Sequence, residues 1–337
     1  MGGVVGGSRG RLRGAPTDDD RGRGPPMLTR RCRVFLGGLA LITCAAADAK
    51  SETADAAGAA DAADAAGGGG LLFEHGGWRC RATRHGIMAF PRRREDLVSK
   101  SLDLLGEYSE SEARLFRALV RPGDTVLDVG ANIGAHAVAL AGFVGPAGRV
   151  HAFEPGAETA SFLRANVALN ALDERVLVHQ VAVGNGSVHH LTLVTTDGNY
   201  GTAYLSEARP PPPPDAHPRG RAQGAEAEGS GSGRGLSSVR VVGLDDFAAL
   251  AGLEGLRLVK IDVEGHDLQV LQGARRLITS LRPFLCIEMH TEAAGVRAYF
   301  ESLCPGGSGN PAEACPGVQL RGLDGLAHAA LRYYVCV

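Results

Sequence analysis

No two cysteines in this chain stand at C-x-x-C spacing, and without that spacing a structural zinc site is not expected. Of the seven cysteines, Cys32 and Cys44 fall in an N-terminal apolar leader. Among the other five (Cys80, Cys286, Cys304, Cys315, Cys336), Cys304 and Cys315 bracket the loop "CPGGSGNPAEAC", which a bridge would close in an oxidising lumen. Free or buried thiols fit as well. An excess of charge is also missing. With 35 basic residues against 37 acidic ones the net charge is -2, so no concentrated basic face is available and nucleic acid is not an expected partner. No apolar run is long enough to span a bilayer comfortably. The run from Val34 to Ala47 follows Arg30, Arg31 and Arg33 and ends in Ala47-x-Ala49, the layout of a secretory signal starting at Met27. A cleaved signal and a secretory-pathway destination (ER or Golgi lumen, or secretion) are expected. The alternatives are an uncleaved signal anchor, a plastid transit peptide, or a disordered tail on a cytoplasmic protein.

Large apolar residues are absent from one further tract, 50–70, which cannot repay its ordering entropy, and scarce in a second, 206–238. Residues 50–70, rich in Ala, Asp and Gly, read as a linker between the leader, 1–49, and a catalytic-size domain, 71–337. Residues 206–238, with a polyproline run and Gly/Ser repeats, read as a disordered surface insertion between two strand-like segments. The remainder is organised. "DTVLDVG", "GRVHAFEP" and "RVLVHQVAV" read as strands separated by helices over 135–143 and 157–172. "LRLVKIDVEG" and "RPFLCIEMH" continue the alternation, with helices over 267–280 and 291–303. Such strands, apolar on both faces, predict an α/β fold with a doubly wound, mostly parallel sheet. "VQLRG" and "LRYYVCV" add a final antiparallel strand pair.

Between the first strand and its helix lies "VLDVGANIGAHAVALA". Gly130 and Gly134 permit close approach of a ligand, and Asn132 sits in the same turn. The third glycine of a dinucleotide G-x-G-x-x-G is lacking. Asp128, two residues before Gly130, would repel a pyrophosphate and suits a ligand with a positive end, such as the amino and sulfonium groups of S-adenosyl-L-methionine. Glu154, followed by Pro155, ends the second strand, where a carboxylate can accept both ribose hydroxyls.

These residues, together with "REDLVSKSLDLLGEYSESE", "LRANVALN", "VAVGN", "VGLDDF" and "LVKIDVEGHDLQVLQGA", resemble the FkbM family of S-adenosylmethionine-dependent methyltransferases over about residues 71–290. The resemblance implies a Rossmann-like class I methyltransferase that places a methyl on a hydroxyl oxygen of a sugar, glycan or similar small acceptor. It also lays the Tyr108 and Glu112 segment over the cofactor pocket. Backbone atoms of Ala182, in "VAVGN", are a candidate contact for adenine. Asn166 and Asn170 are candidates for cofactor contact or for a purely structural role. The insertion and the tail after His290 depart from the family pattern.

Methyl transfer to oxygen needs alignment and a base. Strand alternation sends Lys260, Asp262 and Glu264 to one side and packs Ile261 and Val263 away. Asp262 and Glu264 are the first candidates for the base, and His290, which follows Glu288 in "CIEMH", is the next. The competing readings are an NAD-dependent oxidoreductase, disfavoured by the missing glycine and by Asp128, and a non-catalytic adenosylmethionine-binding module.

Overall fold

The computed structural model describes residues 32–36, 39–44, 70–92, 96–196, 199–207, 234–253, 255–289, 293–303, 321–322 and 333–336. Two strands from the leader, β1 (Cys32–Leu36) and β2 (Leu39–Cys44), pair antiparallel. An antiparallel meander follows, β3 (Leu71–His75), β4 (Trp78–Thr83) and β5 (Gly86–Pro91). Helices α1 (Leu97–Leu105) and α2 (Glu110–Leu119) lead into β6 (Thr125–Val129), α3 (Ala135–Val144), β7 (Arg149–Phe153), α4 (Ala157–Leu169) and β8 (Val176–His179). Then come β9 (Ala182–Gly184), β10 (His190–Thr196), β11 (Asn199–Ser206), β12 (Arg234–Gly243) and α5 (Leu244–Ala251). The chain continues through β13 (Leu256–Ile261), α6 (Asp267–Gln272), α7 (Arg275–Leu281), β14 (Phe284–Met289) and α8 (Ala293–Ser302) to β15 (Arg321–Gly322) and β16 (Tyr333–Cys336). Among the described residues no helix is long and apolar enough to cross a membrane.

The main sheet has seven strands in the order β15-β16-β14-β13-β6-β7-β8. From β14 to β8 every pairing is parallel, while β16 runs antiparallel to both β14 and β15. Its strands are apolar on both faces because both faces are covered. Val126, Val150, Ala152 and Leu258 pack with residues of α3 and α4 on one face. Leu127, Phe153, Val259 and Ile261 pack with residues of α6, α7 and α8 on the other. Each of the larger side chains among them contributes about 1.5–3 kcal/mol by leaving water. From β6 the chain proceeds outward to β7 and β8, then returns to place β13 on the other flank of β6. That reversal opens a crevice at the carboxyl ends of β6, β7 and β13.

Three expectations are corrected. "RVLVHQVAV" is not one strand. The chain turns after His179, where the Val181 N–H donates to the His179 carbonyl at 2.9 Å, and β9 joins a second sheet, β11-β10-β12-β9. Apolar residues only require burial, and Ala182 finds it against Leu191, Leu193, Val239 and Val241. The tract 206–238 overruns the second sheet, because β12 begins at Arg234 and Ser238 pairs with Thr192. Its "RGLSS" has weak strand propensity, and cross-strand pairing with β10 decides. The helix expected over 267–280 is two helices, broken at Gly273. A Cβ there would lie 2.0 Å from the Gly184 carbonyl oxygen, so β9 approaches too closely for a side chain.

Asn166 and Asn170 prove structural. Asn166 accepts from the Ala89 N–H at 2.6 Å and donates to the carbonyls of Ala89 and Ile133, while Asn170 brackets Ile87 in the same way. Together they fasten the edge strand β5 to α4. Asn166→Leu strands these three backbone groups in a buried place, so a loss of about 3 kcal/mol in urea unfolding is expected; an unchanged midpoint would show that β5 is held by other contacts.

Candidate active site

The turn after β6 is built to face Glu154. Gly130 is required by close approach: at φ 83° it passes so near to β13 that a Cβ would lie 1.8 Å from the Asp262 carbonyl oxygen. The Gly130 and Ala131 N–H groups both donate to the Phe153 carbonyl, at 3.0 and 2.9 Å, and the Gly134 N–H donates to Ala131. Asn132, at φ 51°, accepts the Ile133 N–H on its own side chain. Its backbone N–H donates to Glu154 Oε2 at 2.8 Å. Glu154 Oε1 takes the Gly156 N–H and the Thr159 hydroxyl, at 2.8 and 2.7 Å. A carboxylate has about four acceptor positions, so roughly one remains, on Oε2. Burial raises the Glu154 pKa, and the hydrogen bonds from Thr159, Gly156 and Asn132 oppose that shift.

Beside this turn sits a buried charge network. Lys260 Nζ lies 3.3 Å from Asp128 Oδ1 and 3.3 Å from Asp262 Oδ2, and donates to the Gly130 carbonyl at 3.1 Å. Burial works against the ammonium, but Asp262 and Asp128 outweigh it and hold the lysine pKa well above its ordinary range. Burial likewise opposes the Asp262 charge, and Lys260 overcomes it, holding the acid at about 2. The register places Lys260 directly beside Asp128 on the neighbouring strand.

A cleft of about 1020 Å³, open to solvent, gathers these groups. Of the residues expected from sequence it is lined by Tyr108, Gly130, Asn132, Glu154, Pro155, Ala182, Lys260, Asp262 and Glu264. Gly134 caps α3 behind the turn, and Glu112 is buried a layer further back. One expectation changes and another is extended. Asp128 is fully buried and does not line the cleft; its charge is met by Lys260 rather than held open for a ligand. Val263 packs against the core as expected but also lines the cleft, because strand alternation ends at Ile261 and Glu264 takes φ 52°. His290 lies outside the described residues, as do Cys304 and Cys315.

Several cleft residues were missed from sequence. Leu193, Thr202, Ala203 and Leu205 come from the second sheet, and Leu97 and Val98 from α1. Nothing in their local pattern distinguishes them from ordinary core or surface residues. His136 also lines the cleft, with Nε2 3.5 Å from Glu112 Oε2 and its ring 5.3 Å from that of Tyr108. A lone histidine in the Ala/Val run of α3, two residues past Gly134, was the available signal. Burial, with Lys260 adding to it, lowers its pKa to about 4.

Comparison with known proteins bears on this site. The family model described as the methyltransferase FkbM domain matches residues 128–304. A curated protein, 31-O-demethyl-FK506 methyltransferase FkbM of Streptomyces tacrolimicus, is 32% identical over 161 residues, covering 46% of this chain and 60% of that protein. Among solved structures, a methyltransferase FkbM from Methylobacillus flagellatus KT aligns at TM-score 0.36 and 18% identity, covering 67% of this chain and 50% of that one. A SAM-dependent O-methyltransferase from Thermotoga maritima aligns at TM-score 0.21 and 32% identity, covering 22% and 28%. The chain thus spans 60% of the curated relative and half of the first of these structures.

The neutral, buried His136 fixes a pH dependence. Its folded pKa, about 4, lies below the unfolded value of 6.5, so the stability it contributes is complete above pH 6.5 and is lost as pH falls toward 4. The full loss is about 3 kcal/mol at one pKa unit per 1.36 kcal/mol. Unfolding free energies between pH 7 and 4 are expected to fall less steeply in His136→Gln than in the wild type; parallel slopes would show that the histidine charges freely in the fold.

Proposed function

The chain belongs to the FkbM methyltransferase family, and from that premise we propose that it is an S-adenosylmethionine-dependent methyltransferase acting on a hydroxyl of a sugar, glycan or similar small acceptor. The observation that carries the reading is the bonding of the turn after β6. From Gly130 to Gly134 every backbone N–H is already taken within the protein, by Phe153, Glu154, Asn132 or Ala131. A pyrophosphate would need those donors. What the turn offers instead is the remaining acceptor position of Glu154, which fits a ribose hydroxyl.

The rest of the cleft fits the same donor. Phe153, Val181, Val183 and Leu193 supply apolar surface near Glu154 for a purine, and Ala182 lies among them. Toward β13 the lining carries Asp262 and Glu264 against Lys260, an acidic surplus that suits a ligand with a cationic end. The donor, when bound, supplies an electrophilic methyl on a positively charged sulfur. Asp262, ionised and fixed by Lys260, favours such a cation, while Tyr108 and the α1 residues Leu97 and Val98 exclude water from one side. The name of the Streptomyces relative, a methyltransferase for an O-demethyl compound, supports oxygen as the atom methylated.

Calorimetry is expected to show that the full chain binds S-adenosylhomocysteine and not NAD. Glu154→Ala removes a charge-assisted hydrogen bond worth roughly 1.5–3 kcal/mol, a loss of about ten- to a hundredfold in affinity. Binding of NAD with no binding of S-adenosylhomocysteine would overturn the reading, and an unchanged affinity in Glu154→Ala would remove Glu154 from the site.

A further inference from the structure

Transfer of a methyl to a hydroxyl leaves a proton to be taken up, and the first candidate from sequence is ill suited to take it. Asp262, held at about 2 by Lys260, has little proton affinity, and Lys260 is itself kept protonated by Asp262 and Asp128. Glu154 has three of its acceptor positions filled by Asn132, Gly156 and Thr159. His136, at about 4, keeps more proton affinity than Asp262, and its hydrogen-bonding capacity is not filled. It lines the cleft, is 5% exposed, and its Nε2 makes no hydrogen bond although it faces Glu112 Oε2 at 3.5 Å. Leaving a buried polar atom unbonded is costly to the fold. The imidazole is fixed in place, its ring centroid 5.3 Å from those of Tyr108 and Phe116. Glu112 is buried in turn and accepts the hydroxyl of Ser109 on its other oxygen. The groups that act on the ring are thus Glu112, Asp128, Asp262 and Tyr108 together with Lys260 and His85. Burial and Lys260 keep it neutral at physiological pH, the state in which a base must wait.

We propose that His136 is the general base of the transfer and that Glu112 is the positioning carboxylate that stabilises the imidazolium formed; this rests on the methyltransferase reading above. With Nε2 turned to Glu112, the nitrogen left to accept is Nδ1. As the acceptor oxygen forms its bond to the methyl carbon, the carbon–sulfur bond breaks with its electron pair remaining on sulfur. The hydroxyl proton passes to Nδ1, and the imidazolium later releases a proton to solvent.

The test uses the full chain, labelled S-adenosylmethionine and a panel of neutral hydroxyl acceptors, methyl glycosides and glycerol, with S-adenosylhomocysteine affinity measured in parallel. His136→Gln is expected to keep that affinity within about threefold while turnover falls by roughly 10² to 10⁴. Glu112→Gln removes a negative neighbour, so both the acid limb of its rate profile and the NMR titration of His136 move to lower pH. Added imidazole restores part of the activity of His136→Ala. Turnover within about threefold of wild type in His136→Gln overturns the proposal alone. Loss of S-adenosylhomocysteine binding in both His136→Gln and Glu112→Gln overturns it in favour of a structural role. A wild type that binds S-adenosylhomocysteine yet labels no acceptor overturns the methyltransferase reading, and the base with it.

Discussion

The ammonium of Lys260 is what allows two carboxylates to lie at the centre of this domain. Asp128 is fully buried, and among the described residues neither of its oxygens accepts a hydrogen bond. An isolated carboxylate in such a place would give up its charge. With Lys260 Nζ 3.3 Å from it and equally near to Asp262, the three groups share two negative charges and one positive. The same ammonium reaches the Gly130 carbonyl, so it also fixes the turn that carries the cleft. Electrostatics and backbone geometry are therefore one arrangement, and they leave a surplus of negative charge on the side open to solvent.

Glu154 plays a comparable double part on the neighbouring strand. Three hydrogen bonds to it organise the turn after β6 and the start of α4, and the same residue lines the cleft. In the proposed reading, support and recognition are combined in one side chain, at a strand end rather than on a loop. The walls are of another origin. The second sheet brings Leu193 and Leu205 over the crevice, and α1 brings Leu97 and Val98.

How far the sequence could be read follows from which forces are local. The parallel strands β6, β7, β13 and β14 were legible because their continuous apolar runs have no other explanation than burial on both faces. Gly130, Glu154 and Lys260 were legible because turn, strand end and motif spacing fix their places. The pairing of Asp128 with Lys260 was not, since it depends on the register between β6 and β13, residues 132 positions apart in the chain. For the same reason β9 was assigned to the wrong sheet: Ala182 and Val183 are apolar, and sequence does not say which partner strand buries them. His136 went unnoticed because a single histidine in an apolar helix is ordinarily a satisfied core residue; only the packing of α2 against α3 brings Glu112 to it.

The most direct measurement is the structure of the complex with S-adenosylhomocysteine. A ribose hydroxyl is expected within hydrogen-bond distance of Glu154 Oε2, with the amino group on the Asp262 side of the cleft and Lys260 still seated against Asp128. A nucleoside bound away from Glu154, or a Lys260 withdrawn so that Asp128 faces the ligand directly, would contradict this arrangement.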